Sequence, residues 1–202
     1  MSERYPGGII SKNAPTVTLT SAPGVWTLDQ QAVYQKAGTW PYGGPMYIED
    51  VFSTYLYTGN GSTQTITNGV NLSSYGGLVW TKVRSTTYSH FLADTIRGAG
   101  SLLSTNSTAA ADTGGNLYSG FNSNGYGVTT SYGSGTNGNG ATFASWTFRK
   151  QPKFFDVVTY TGTGSARTVA HNLGSVPGCI IVKRTDTTAD WQVYHTSLGN
   201  AQ

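Results

Sequence analysis

Gly77-Leu78-Val79-Trp80-Thr81-Lys82-Val83-Arg84 decides how this chain is read, because it is met again as Gly178-Cys179-Ile180-Ile181-Val182-Lys183-Arg184, with one residue deleted. Each run is short, apolar and opened by glycine, which is the pattern of a buried strand. Working outward, Tyr57-Thr58-Gly59-Asn60-Gly61-Ser62 recurs as Tyr160-Thr161-Gly162-Thr163-Gly164-Ser165, each after an aromatic-containing stretch that opens with Phe52 or Phe155. Thr65-Ile66 is answered by Thr168-Val169, and Tyr88/His90 by Trp191/His195. Similar glycine-rich turns arise by chance, but an ordered series of matches points to an internal repeat.

The first copy predicts a set of strands. Phe52, Thr54 and Leu56 alternate with Val51, Ser53, Tyr55 and Tyr57 up to the turn residues Gly59-Asn60-Gly61-Ser62. This reads as a hairpin whose second arm is Thr63–Thr67. Further strands are expected at Gly77–Arg84 and Tyr88–Asp94. After a Gly/Asn/Ser-rich passage read as loop, Ala141–Phe148 closes the unit with Trp146 and Phe148 on one face. The expectation is an all-β chain, a jelly-roll-like antiparallel sandwich over 48–150 followed by the first half of a second module over 153–202. That second copy reaches Asn200-Ala201-Gln202 before any counterpart of the glycine-rich passage or of the strand around Trp146. A half-sandwich leaves edges and apolar faces open, so the expectation is a longer natural chain or completion by a neighbouring subunit.

Residues 1–47 read differently. Pro6, Pro15 and Pro23 with Gly7, Gly8 and Gly24 suggest an extended arm that docks on a partner. One short helix follows, with Thr27 and Gln30 at capping-box spacing, Leu28 through Lys36 as body and Gly38 as its end. The arm residues Tyr5, Pro6, Gly7, Gly8, Ile9 and Ile10 are the expected anchoring interface.

Composition narrows the function classes. The chain has 27 Gly, 12% aromatic and 10% charged residues, against roughly 25% charged in an ordinary soluble domain. Its net charge is +3, and Arg149, Lys150 and Lys153 form the sole basic cluster, expected to be a solvated linker. That is a poor footprint for nucleic acid. Cys179 lies in an apolar run and is expected to pack rather than react. No run of roughly eighteen apolar residues is present, and Met1–Gly8 lacks the form of a secretory signal. A virion protein, assembled in the host cytoplasm and released by lysis, reconciles an extracellular-looking composition with no visible export signal.

Candidate chemistry is sparse. Glycoside cleavage needs two carboxylates facing each other across the bond, whereas Glu49-Asp50 on a strand would point apart. His90, His171 and His195 are too dispersed for a metal motif, and no serine sits in a nucleophile elbow. His171, before Asn172-Leu173-Gly174, is expected to bond local backbone. Asp186 and Asp190 bracket a Thr-rich loop with far too few ligands for calcium. The expectation is therefore no enzyme, no metal and no cofactor. Trp80, Trp146 and Trp191 are expected in the core, while Tyr118, Tyr126 and Tyr132 in the glycine-rich passage are the expected surface contacts, since exposed tyrosines stack on sugars or proteins at low entropic cost.

With these residues assembled, the chain resembles the tail-fibre-like or lectin-like virion structural proteins of tailed phages that infect marine bacteria and cyanobacteria. Tyr5-Pro6-Gly7-Gly8-Ile9-Ile10-Ser11, Gly24-Val25-Trp26-Thr27-Leu28-Asp29-Gln30 and Gly38-Thr39-Trp40-Pro41 resemble the opening of such proteins. Gly77–Trp80 through His90–Gly98 resembles their repeated module, which is similar to concanavalin-type jelly rolls, and Phe154 through Gly199 resembles the first half of another. The resemblance implies a place in the virion, other tail or adaptor subunits as partners, a host surface glycan as a further contact, trimeric packing, and neither nucleic-acid binding nor membrane insertion.

Overall fold

A computed structural model describes residues 26–36, 47–129 and 135–199. The chain divides into two units, residues 1–46 and 47–202. In the first, helix α1 spans Leu28–Lys36. Its start is a reciprocal capping box: the Gln30 amide donates to Thr27 Oγ1 at 3.3 Å and the Thr27 amide to Gln30 Oε1 at 3.0 Å. Two of the amides that a helix start leaves without partners are thereby satisfied. Trp26 packs edge-on against Tyr34, with ring centroids 5.3 Å apart, while Leu28 and Val33 stay exposed. The arm residues Tyr5 to Ile10 and the expected helix end at Gly38 lie outside the described residues.

The second unit is all-β and antiparallel. Strands β1 (Phe52–Thr58), β2 (Gln64–Thr67), β3 (Gly77–Val83), β4 (Phe91–Asp94), β5 (Leu103–Ser104), β6 (Tyr118–Asn122), β7 (Gly125–Val128) and β8 (Thr142–Arg149) form two sheets, ordered β1-β8-β3-β4-β5 and β2-β7-β6. A one-turn helix, α2 (Leu72–Tyr75), precedes β3, capped by Asn71, whose side chain accepts from the Ser74 amide at 3.0 Å. The pairing is nested: β1 takes β8, and β2 takes β7. This is the wrapping of a jelly-roll-like sandwich.

Alternation explains the layers. In β3, Val79, Thr81 and Val83 are buried while Leu78, Trp80 and Lys82 are half-exposed, and in β8 Phe143, Ser145 and Thr147 are buried while Ala144, Trp146 and Phe148 are half-exposed. The buried set joins Tyr57, Ile66, Val70, Leu72, Leu117, Tyr118, Tyr126 and Val128 in one core. Stacked Tyr57 and Phe143 rings lie 5.0 Å apart at its centre.

Several expectations are corrected here. Residues 52–58 and 64–67 are not a hairpin, because the turn between them carries the chain from one sheet to the other. Gly59 spends its backbone bonds on Ala141 and Gly140 (2.8 and 2.9 Å), and the Asn60 and Asn137 side chains hold the turn to residues 135–141 through bonds of 3.1 Å. The glycine-rich passage is not loop: it supplies β6 and β7. Its glycines permit close strand approach, since a Cβ on Gly125 (φ +135°) would stand 1.9 Å from the Ile66 carbonyl oxygen. The strand expected at Tyr88–Asp94 begins only at Phe91. Glu49 and Asp50 sit in a 3-10 turn, Ile48–Asp50, where the Asp50 carboxylate accepts the Tyr47 amide at 3.1 Å. Of the basic cluster expected as a solvated linker, Lys153 is exposed, but Arg149 and Lys150 are not free in solvent. Arg149 is buried at the end of β8 with its guanidinium 4.1 Å from the Tyr75 ring centroid, and Lys150 pairs with Asp156 at 3.0 Å.

Beyond residue 155 the described chain forms β9 (Cys179–Lys183) and β10 (Trp191–His195), paired only with each other. Among the described residues, none from 156 to 178 lies in a helix or strand. The hairpin end rests on the 107–111 loop: Trp191 Nε1 donates to the Ser107 carbonyl at 2.9 Å, and the Ala111 amide donates to the Thr185 carbonyl at 2.9 Å.

Candidate interaction surfaces

The expected contact tyrosines are placed first. Tyr118 and Tyr126 are buried in the core, which corrects the expectation that they face solvent. Strand alternation turns both rings inward from β6 and β7. Tyr118 donates to Thr81 Oγ1 at 2.9 Å and Tyr57 to the Thr136 carbonyl at 2.6 Å. The Tyr126 hydroxyl meets those of Ser145, Thr81 and Tyr57 without completing a hydrogen bond. Burial pushes all three phenols well above their usual pKa, which keeps them neutral donors. Tyr132 lies outside the described residues.

Trp80 and Trp146 are not core residues either. Both leave the sheet on the face away from β2-β7-β6, where alternation aligns them with Phe52 and Phe148. Ring centroids are 5.5 Å apart for Trp80 and Trp146, 4.9 Å for Phe52 and Phe148, and 5.2 Å for Phe148 and Phe155. His90 closes the row, accepting from Trp80 Nε1 through Nδ1 at 3.0 Å, so its own proton rests on Nε2. Burial, aided by Lys82, lowers the His90 pKa. The row is half-buried and apolar with one imidazole at its end, an arrangement suited to stacking contacts. Sequence reasoning missed it because an apolar strand face looks the same whether a second sheet or a partner covers it.

The second surface is residues 155–199. The β3–β4 register pairs Leu78 with Asp94, Val79 with Ala93 and Trp80 with Leu92, while β9–β10 pairs Cys179 with His195, Ile180 with Tyr194 and Ile181 with Val193. The two hairpins are therefore in the same register, so Trp191 corresponds to His90 and His195 to Asp94, a correction to the match read from the sequence. The Thr95 amide donates to the Gly77 carbonyl at 2.9 Å and the Thr196 amide to the Gly178 carbonyl at 3.0 Å. Gly61 and Gly164 share positive φ (+68° and +76°), as do Gly98 and Gly199 (+91° and +71°). Burial differs sharply. Val79 is 0% exposed and its counterpart Ile180 42%; Tyr57 is 9% exposed and Tyr160 50%. Cys179 is exposed too, against the expectation that it packs.

The remaining candidates are occupied locally. His171 Nδ1 accepts the Leu173 amide at 3.2 Å. Asp186 takes both Arg184 bonds, at 2.7 and 3.1 Å. Among the described residues no three His, Cys, Asp or Glu side chains converge, and no helix is long and apolar enough to cross a membrane. A family model described as a domain of unknown function, DUF7483, matches residues 48–202, most of the chain. No curated protein and no solved structure matches the chain.

Proposed function

The chain belongs to the DUF7483 family, and we propose that it is a structural protein of a phage virion, a tail fibre or tail-associated adhesion component. Residues 1–47, with Tyr5 to Ile10, anchor the subunit to other tail or adaptor proteins, and the β modules project for host-surface contact. The observation that carries this reading is the tandem plan: a closed sandwich followed by a second hairpin in the same register, with Ile180 and Tyr160 exposed where Val79 and Tyr57 are buried. Modules that repeat along a chain and expose unfinished surface suit an assembly better than a solitary catalyst. The aromatic row at Trp80, Trp146 and His90 is the host-contact face in this reading, taking the place of the buried tyrosines. Several copies in one fibre, a trimer by the resemblance, would raise weak single contacts to useful avidity. No catalytic step, metal or cofactor enters the proposal.

The test is antibody raised against residues 48–150 applied to intact purified virions under negative-stain microscopy. Label on the tail or its appendages is the expected result. Label on the head would make the chain a capsid decoration protein instead, and particles without label would overturn the virion assignment.

A further inference from the structure

We propose that residues 155–199 are the receiving half of a second sandwich and bind a β-strand segment of the β6–β8 type, inserted antiparallel along the free edge of β9. In the closed module every pairing except β3–β4 and β4–β5 joins a first-half strand to β7 or β8, or β6 to β7. Remove β6 to β8 from that scheme and β1 and β2 lose their partners, while the β3–β4 hairpin survives. Residues 155–199 show this state. The β9–β10 hairpin is formed in the register of β3–β4, whereas the counterparts of β1 and β2 carry no strand.

The side chains agree. Ile180, Val182 and Tyr194 hold the positions of Val79, Thr81 and Ala93, which face the core in the closed module. Tyr160 and Val169 hold those of the buried Tyr57 and Ile66. Ile180 and Tyr160 are exposed and Val182, Tyr194 and Val169 half-buried, where their counterparts are buried, which marks a surface awaiting a layer. β9 meets β10 along one edge; the other is the edge that β8 occupies on β3. An open strand edge of this kind takes an added strand through main-chain hydrogen bonds, with alternate side chains setting specificity.

A second copy of residues 47–199 is not the occupant. Among the described residues there are two receiving halves, 52–98 and 155–199, and one donor set, β6 to β8, already seated in the first module. Exchange among copies moves the vacancy without filling it. The occupant is a segment that residues 47–199 do not supply, with the alternation of Thr142–Arg149: aromatic or hydroxylic groups inward, like Phe143, Ser145 and Thr147, and aromatics outward, like Trp146 and Phe148. The inference holds wherever in a particle the chain resides, so its failure leaves the virion reading standing.

The register permits a sharp test. In the closed module Phe148 lies opposite Leu78, whose counterpart is Cys179, the chain's single cysteine. The full chain is extended past Gln202 by a flexible linker and a second copy of residues 99–150, carrying Phe148→Cys or, as control, Ala144→Cys in the appended copy only. Under oxidised glutathione, the Phe148→Cys chain should form its internal disulfide at least tenfold faster than the control, whose cysteine falls opposite Lys183. Hydrogen exchange over 157–161 and 179–183 should slow at least tenfold in the extended chain without added cysteine, but not when Ser145→Pro is placed in the appended copy. Equal disulfide rates, or exchange unchanged by the extension, would overturn the proposal. So would a stable dimer of the unextended chain in which 179–183 is already protected.

Discussion

At the scale of residues, the sandwich core is built on hydroxyl groups as much as on hydrocarbon. Tyr118 and Tyr126 illustrate two outcomes. Tyr118→Phe removes the bond to Thr81 and leaves a buried hydroxyl without its donor, so it should cost about 1 kcal/mol. Tyr126→Phe removes a hydroxyl that completes no bond, and should leave stability unchanged or raise it. Chemical denaturation of the two variants beside the parent measures the difference; an equal loss for both would refute the distinction. On the outer face, His90 gives a pH signature. Its folded pKa is lowered from 6.5, so the folded state resists protonation more than the unfolded one. The stability this contributes is full above pH 6.5 and falls as acid takes the pH down through the folded value. Protonating Nδ1 also breaks the bond from Trp80. Tryptophan emission should therefore change on acidification below pH 6.5, and His90→Gln should abolish that step.

At the scale of elements, strands in matching register stand in different surroundings. Val79→Ala in β3 empties a closed core and should cost about 2 kcal/mol. Ile180→Ala at the matching place in β9 touches an exposed side chain and should change stability by less than about 0.5 kcal/mol. Thermal melts of the two variants compare them directly, and a large loss from Ile180→Ala would mean that β9 is already covered. This contrast also shows what the sequence could disclose. Glycine-opened apolar runs and the Tyr-Thr-Gly hexapeptides made the repeat legible, because strand and turn chemistry is local. The pairing was not, because Phe52 finds Phe148 through a register that local residues do not encode. The turn at Gly59-Asn60-Gly61-Ser62 suits a hairpin by composition, and only its bonds to residues 137–141 reveal a crossing between sheets. β6 and β7 were hidden for the opposite reason. Their glycines look like loop, yet at Gly125 the missing side chain is what lets two strands meet. The candidate contacts Tyr118 and Tyr126 were misplaced with them.

At the scale of the whole second unit, Asp156 ties the end of the closed sandwich to residues 157–173. It pairs with Lys150 at 3.0 Å and accepts the amides of Asn172 and Val157 at 2.7 and 2.9 Å. Burial alone would raise its pKa, but the Asn172 amide and Lys150 outweigh that and hold it below 3.8. The contribution is thus present above pH 3.8 and lost as pH falls through the lower folded value. Hydrogen-exchange protection over 153–173, taken relative to the intrinsic exchange rate at each pH, should drop on acidification through that range, and Asp156→Asn should lower it at neutral pH. The nested order of the first module carries a consequence for synthesis. A chain leaving the ribosome presents β1, β2 and β3 long before β7 and β8 exist. The β3–β4 hairpin can form at once, while its neighbours must wait, their apolar side chains bare. Residues 155–199 hold the arrangement that the first module passes through while it is still being made.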